Sequence, residues 1–275
     1  LLEVNAPYAI ARRKYGNLRL GLLADQFERF TFRGATRVFP VTQVLGKILQ
    51  GMGVAPERIR VVPNGINPKD FETLPCEQDA KRKFGLEGRT VIGFIGFVRE
   101  WDQLDRIVDW LARRPESDKV SLMVVGDGPV RPELEAQALR LGVAQRLVFT
   151  GVVPRTEVPA AAMAFDIALQ TALVPYASPL CLFEYMALGK VILAPDQANH
   201  HEVLEKGVDC EMYDPVAPGS IEACLDALMA DPQRRAELGA AAKRTLQTRQ
   251  FVWDGNARRV AAEATSLVGA KPAHP

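Results

Sequence analysis

A carboxylate carried by a helix that is apolar on nearly every side is costly to bury unless something answers its charge. The segment Tyr176-Ala-Ser-Pro-Leu-Cys-Leu-Phe-Glu-Tyr-Met-Ala-Leu-Gly189 sets up that situation. Ser178 is a suitable N-cap, and Pro179 suits the first helical position because its missing N–H would have had no intrahelical partner. Gly189 suits a left-handed stop. Between them Leu180, Leu182, Phe183, Met186, Ala187 and Leu188 cover most of the circumference, so the helix should be buried. Glu184 is the one charge inside that run. Its partner is either a basic side chain or the hydroxyls of a ligand, and the residues leave both open. The helix start also presents N–H groups and the positive end of the helix dipole, an arrangement suited to a diphosphate. An ordinary capped helix has the same start.

A second candidate is Gly93-Phe-Ile-Gly-Phe-Val-Arg99. A strand is expected to end at Gly96, where backbone can approach a ligand closely, and Arg99 follows as a donor fork suited to phosphate. Val125-Gly-Asp-Gly-Pro129 marks another strand end, at which Asp127 caps the next helix more readily than it meets a ligand. Thr150-Gly-Val-Val153 is a third strand-end loop, with backbone groups suited to the edge of a base. These spacings match neither the dinucleotide fingerprint nor a P-loop, and no serine or cysteine stands in a nucleophile elbow. Cys76, Cys181, Cys210 and Cys224 have no metal-ligand spacing, and His200, His201 and His274 give no metal set.

The elements that must position these residues follow from periodicity. Apolar runs at 91–96, 120–126, 146–150, 166–170 and 190–194, with a weaker one at 210–213, alternate with helical stretches at 101–113, 130–141, 158–164, 179–188 and 200–206. That alternation predicts β-α units on a doubly wound parallel sheet whose strands are covered on both faces. After Pro218 the chain turns helical, punctuated at Asp231-Pro232 and around 251–254. Residues 1–70 read as strands at 1–5, 35–41 and 59–62 and helices at 18–32 and 43–52, a partial second α/β domain. It is either an extension packed on the main domain or the C-terminal remainder of a domain whose first half is missing. The chain begins at Leu1, inside an apolar stretch and without a methionine, so nothing about a leader follows. The polar stretch that follows, 71–89, reads as a linker.

With 34 Lys and Arg against 33 Asp and Glu, charge alone gives no polybasic patch for nucleic acid or a membrane. No apolar run reaches the roughly 20 residues that span a bilayer. Sparse cysteines favour a reducing compartment.

Taken in order, these segments resemble the glycosyltransferase family 4 group of GT-B enzymes. The resemblance rests on Val61-Val-Pro-Asn-Gly-Ile66, Ile95-Gly-Phe-Val-Arg99, Val124-Val-Gly-Asp-Gly-Pro129, Phe149-Thr-Gly-Val-Val-Pro154 and Ser178 to Gly189, with Phe251-Val-Trp253 similar to the aromatic start of the family's final helix. It covers about residues 61–260 and extends more loosely over 1–49. It implies a Rossmann-like donor-binding domain at 90–250, the end of an acceptor-binding domain at 1–70, and a helix crossing back at 251–275.

The resemblance further implies a retaining transfer of a hexosyl group from a UDP- or GDP-sugar to a hydroxyl acceptor, a glycan or lipid-linked glycan. It implies no cofactor and no metal, and a cytoplasmic location with peripheral contact at the inner face of the membrane. Glu184 would hold the donor ribose; the backbone of Ser178, Leu180 and Cys181 would hold the diphosphate. Arg99 would answer the leaving phosphate beside Gly96 as the catalytic residue, and Val153 would flank the base. Tyr176 stands where the family's motif carries its first acid. Glu100-Trp-Asp-Gln103 replaces a stretch that usually holds a lysine, and Cys181 stands where a lysine is common in one subgroup. These departures leave two alternatives, a degenerate nucleotide-binding subunit that needs a partner chain and a sugar-nucleotide epimerase of the same architecture. On either side of that choice, this stretch of chain alone is expected to transfer poorly.

Overall fold

The computed structural model describes residues 1–16 and 20–269. It divides into two units: Leu1–Gly65 with Val174–Ser178 and the chain from Phe251, and Ile66–Leu173 with Pro179–Gln250. In the first unit, β1 (Leu2–Val4) and β2 (Val38–Pro40) pair in parallel, with Leu2 opposite Val38, and Ile59 extends the ladder beyond β2. The helix expected at 18–32 is α2 (Gly21–Gly34), and its expected start at Leu18 lies outside the described residues; α1 (Tyr8–Tyr15) precedes it in a stretch where no helix was expected. Thr42 caps α3 (Gln43–Gly51) by accepting from the Leu45 amide at 3.0 Å, and its hydroxyl donates to the Tyr176 carbonyl at 2.9 Å.

The second unit begins with α4 (Glu77–Lys83), inside the stretch expected as a linker. Its charges are not a solvated spacer. Lys81 pairs with Asp166 at 2.8 Å and with Glu77 at 2.9 Å, and Lys190 reaches Glu77 at 3.3 Å. That network holds α4 at the amino ends of the strands, where Asp166 also accepts from the Val91 amide. The chain continues through β3 (Thr90–Ile95), α5 (Leu104–Arg113), β4 (Val120–Val125), α6 (Arg131–Arg140), β5 (Leu147–Phe149), α7 (Val158–Ala162) and β6 (Ile167–Leu169). Then come α8 (Leu180–Leu188), β7 (Val191–Pro195), α9 (Ala198–His201), β8 (Glu211–Tyr213), α10 (Ser220–Ala230) and α11 (Pro232–Arg249). The last helix, α12 (Trp253–Gly269), belongs to the first unit, where Glu263 pairs with Arg37 at 2.9 Å and Arg60 at 3.0 Å. Gly65 lies against that segment so closely that a Cβ would stand 2.8 Å from the Phe251 carbonyl.

The six strands of the second unit are all parallel, in the order β5-β4-β3-β6-β7-β8. Ile92, Val124, Leu169 and Leu193 are fully or almost fully buried within it, as expected of strands covered on both faces. The chain moves outward from β3 in one direction through β4 and β5, then returns to β3's other side at β6. Strand order therefore reverses between β3 and β6, and in such sheets the carboxyl ends at the reversal are where ligands bind.

Candidate functional site

The carboxyl ends of β3 and β6 carry the two segments singled out by chemistry. At β3, Gly96 has φ +155°, a conformation open to glycine, and the loop runs outward to Arg99. Two backbone contacts with the loop after β4 fix its path: the Gly96 amide donates to Val125 at 3.1 Å and the Val98 amide to Asp127 at 2.8 Å. A Cβ on Gly126 would stand 2.0 Å from the Gly96 carbonyl oxygen, and one on Gly128 2.1 Å from that of Val98. These glycines serve the approach of one loop to another. Asp127 accepts from the Gly128 amide at 2.8 Å and faces Arg131 at 3.4 Å, but it does not cap the next helix as expected: α6 starts after Val130 with no side-chain cap.

Arg99 is exposed, its guanidinium 4.4 Å from the centre of the Phe97 ring and 5.6 Å from that of Trp101. Beyond it the expected helix at 101–113 does not start at once. Glu100–Asp102 form a short 3-10 turn, Gln103 turns left-handed at φ +53°, and α5 begins at Leu104. That turn buries Asp102, whose Oδ2 accepts from the Arg99 amide at 2.7 Å.

At β6, Gln170 and Thr171 follow the strand and α8 supplies the helix start. Helix α8 begins one residue later than expected, at Leu180, with Pro179 in the capping position and no side-chain cap. Ser178 is therefore not the cap. Its hydroxyl and carbonyl instead accept from Asn64, at 3.4 and 2.6 Å, within the first unit. Tyr176 also belongs to the first unit and is buried among Val4, Val38, Leu45 and Leu49. Leu180 is partly exposed, and Cys181 donates its thiol hydrogen to Gln170 at 3.0 Å. Burial, with Glu184 and Asp102 nearby, pushes the Cys181 thiol up to about 12, so it is a neutral group. Gly189 ends the helix at φ +67°, as its sequence requires.

Tyr185, which sequence patterning marks only as another buried residue, locks α8 to both strands. Its hydroxyl accepts from the Ile95 amide at 2.9 Å and donates to the Leu169 carbonyl at 3.2 Å.

Glu184 is 1% exposed. Of the two partners left open, this structure shows a basic one. Arg155, on a 3-10 turn just after Val153 and Pro154, forms an ion pair with Glu184. That arginine is itself 64% exposed. Among the described residues no hydrogen bond of normal geometry reaches either Glu184 oxygen. Burial raises its carboxyl above the usual range, Arg155 opposes the rise, and Asp70 adds to it. Among the described residues, the ion-pair partner of this buried carboxyl is therefore a side chain that stands largely in solvent. Val153 is half-buried beside this turn. No sequence signal marked Arg155 beyond its adjacency to the Val153 loop.

Among the described residues no group of three or more His, Cys, Asp or Glu could hold a metal ion. His201 faces Asp196 at 2.7 Å; His200 is buried, which lowers it to about 4; His274 lies outside the described residues.

An order reversal in a doubly wound sheet, with an arginine loop on one strand end and a helix start plus a buried acid at the other, defines a Rossmann-like domain of the GT-B kind. The comparisons fix the family. Residues 77–245 match the model of glycosyl transferases group 1 and residues 6–65 that of the glycosyl transferase 4-like domain, so the chain belongs to the group 1 glycosyl transferases. It is 34% identical over 152 residues to the 2-deoxystreptamine glucosyltransferase of Streptomyces kanamyceticus, covering 54% of this chain and 39% of that protein. It is 32% identical over 215 residues to the D-inositol 3-phosphate glycosyltransferase of Xylanimonas cellulosilytica, covering 72% and 49%. The chain therefore spans half or less of the length of these relatives. Among solved structures, Anabaena Alr3699/HepE in complex with UDP and glucose is similar over 97% of this chain and 71% of that one, with a TM-score of 0.83 at 20% identity. That likeness bears on the fold.

Proposed function

We propose that this chain contains the donor-binding domain of a retaining glycosyltransferase that moves a hexosyl group from a UDP- or GDP-sugar to a hydroxyl. The observation that carries the reading is that the Arg99 loop and α8, the helix that holds buried Glu184, follow the two adjacent strands, β3 and β6, between which the strand order reverses. The bond from the anomeric carbon to the diphosphate oxygen breaks and the acceptor oxygen takes its place with retention. The hydroxyl proton leaves with the nucleoside diphosphate. Arg99 and the Leu180 and Cys181 amides would answer the charge that develops on the leaving group. Glu184 would exchange Arg155 for the ribose hydroxyls, and Val153 would lie beside the base. With phosphate charge met by a guanidinium and a helix start, the reading requires no metal.

The names of the relatives favour an acceptor hydroxyl on a ring polyol, and a role in polysaccharide or lipid-linked glycan synthesis extends that reading. A cytoplasmic site with peripheral membrane contact is part of the same proposal; no helix among the described residues is long and apolar enough to cross a membrane.

Calorimetric titration of UDP and GDP, with and without EDTA, tests it. Binding that survives EDTA and weakens in Arg99→Ala and Glu184→Gln supports the reading; no binding of either nucleotide removes it. The stretch Glu100-Trp-Asp-Gln103 and Cys181, where the family resemblance leads one to expect lysines, favour a second reading as a non-catalytic nucleotide-binding subunit. Binding with no transfer even when an acceptor half is supplied by a partner chain would select it.

A further inference from the structure

The Arg99 loop has two anchors. One is its backbone contact with the loop after β4, at Val98. The other is Asp102, 4% exposed, whose carboxylate takes the Arg99 amide at 2.7 Å while its own carbonyl accepts from the Thr171 hydroxyl at the end of β6. Thr171 is in turn held by Tyr213 of β8, which donates to its carbonyl at 3.3 Å. The Leu173 amide reaches Trp101 at 3.4 Å, so the loop after β6 is joined to the Arg99 turn at two places. A carboxylate is a costly way to hold one amide in a dry place. A serine or asparagine would satisfy the same N–H without the charge.

We propose that Asp102 is a positioning residue for the nucleotide site: it orients the backbone from which the Arg99 guanidinium is presented, and Thr171 fixes it to the strand that also carries α8. The proposal rests on the donor-site reading above. Arg99 is the charged group that favours the ionised Asp102, against a burial effect that raises its carboxyl to about 6. Cys181 on α8 and Tyr213 on β8 both feel the Asp102 charge and stay protonated, each raised mainly by burial. Of these three, Asp102 is the one whose charge changes between pH 5 and 7.

Two measurements test it. In nitrogen-15 spectra the Arg99 amide should shift with a midpoint near pH 6 in the wild type and stay flat in Asp102→Asn. An amide that does not follow pH overturns the assignment whether or not any nucleotide binds. Failure of the wild type to bind UDP, by contrast, removes the donor-site reading alone. For UDP, Asp102→Ala should weaken binding about tenfold, the scale of one hydrogen bond to a charged group. Asp102→Asn should recover most of that loss and remove the difference between pH 5.5 and 7.5. Because Asp102 acts through Arg99, the Asp102→Ala loss should vanish in an Arg99→Ala background. Additive losses, or equal losses in the Asn and Ala variants, would make Asp102 merely structural and overturn the proposal.

Discussion

A buried acid tells two stories about stability, and Glu184 and Asp102 separate them. Both carboxyls are raised above their ordinary value by burial. The folded state therefore binds protons more tightly than the unfolded state, and stability falls as pH rises through the window between the two values. For Asp102 that window runs from about 3.9, the usual value, to about 6. Thermal unfolding of the wild type should accordingly show a decline across pH 4–6 that is shallower in Asp102→Asn. For Glu184 the expected outcome is an asymmetry. Glu184→Gln should leave the melting temperature unchanged or higher, because it removes a costly charge, whereas Arg155→Ala should lower it by uncovering that charge. Equal destabilisation by both would show a well-compensated pair. The need for a partner at Glu184 was legible in the sequence because a lone acid in an apolar helix is a local contradiction. Arg155 and Asp102 were not, since a charge beside a turn usually faces water and only the packing of β6 puts Asp102 in the dry.

Glycines and helix starts are where elements meet. Gly126 combines φ +144° with a Cβ position 2.0 Å from the Gly96 carbonyl oxygen. Gly126→Ala should therefore cost stability beyond the roughly 1 kcal/mol of an ordinary backbone preference. It should also weaken UDP binding by displacing the Arg99 loop. Circular dichroism melts and calorimetry on the same preparation check both. The strands of the second unit were readable because burial on both faces leaves an almost unbroken apolar run. What the sequence blurred were the short elements. The turn at Glu100–Asp102 has helix-forming residues yet is pulled into 3-10 geometry by the Arg99 amide and by Thr171. Helix α4 hides in a charged stretch because its charges pair with Asp166 and Lys190, partners more than 80 residues away in sequence. The Ser178 cap failed for a related reason: Asn64, distant along the chain, claims that serine.

At the scale of the molecule, one unit carries a complete doubly wound sheet and the other a two-stranded one. A two-stranded sheet rarely stands alone, so the second unit should hold more of the stability. Native-state hydrogen exchange should find the slowest amides in β3, β4, β6 and β7, and faster exchange in β1 and β2; the reverse order would contradict this division. The fold class was legible from alternation alone, while the return of the chain to the first unit after Gln250 rested on resemblance.

The central claim is that the reversal between β3 and β6 binds a nucleoside diphosphate. The most direct measurement is a crystal structure of the chain with UDP. Diphosphate oxygens should lie within hydrogen-bond distance of the Leu180 and Cys181 amides and of Arg99, with the ribose on Glu184 and Arg155 turned away. A nucleotide bound elsewhere, with the Arg155–Glu184 pair intact, would contradict it.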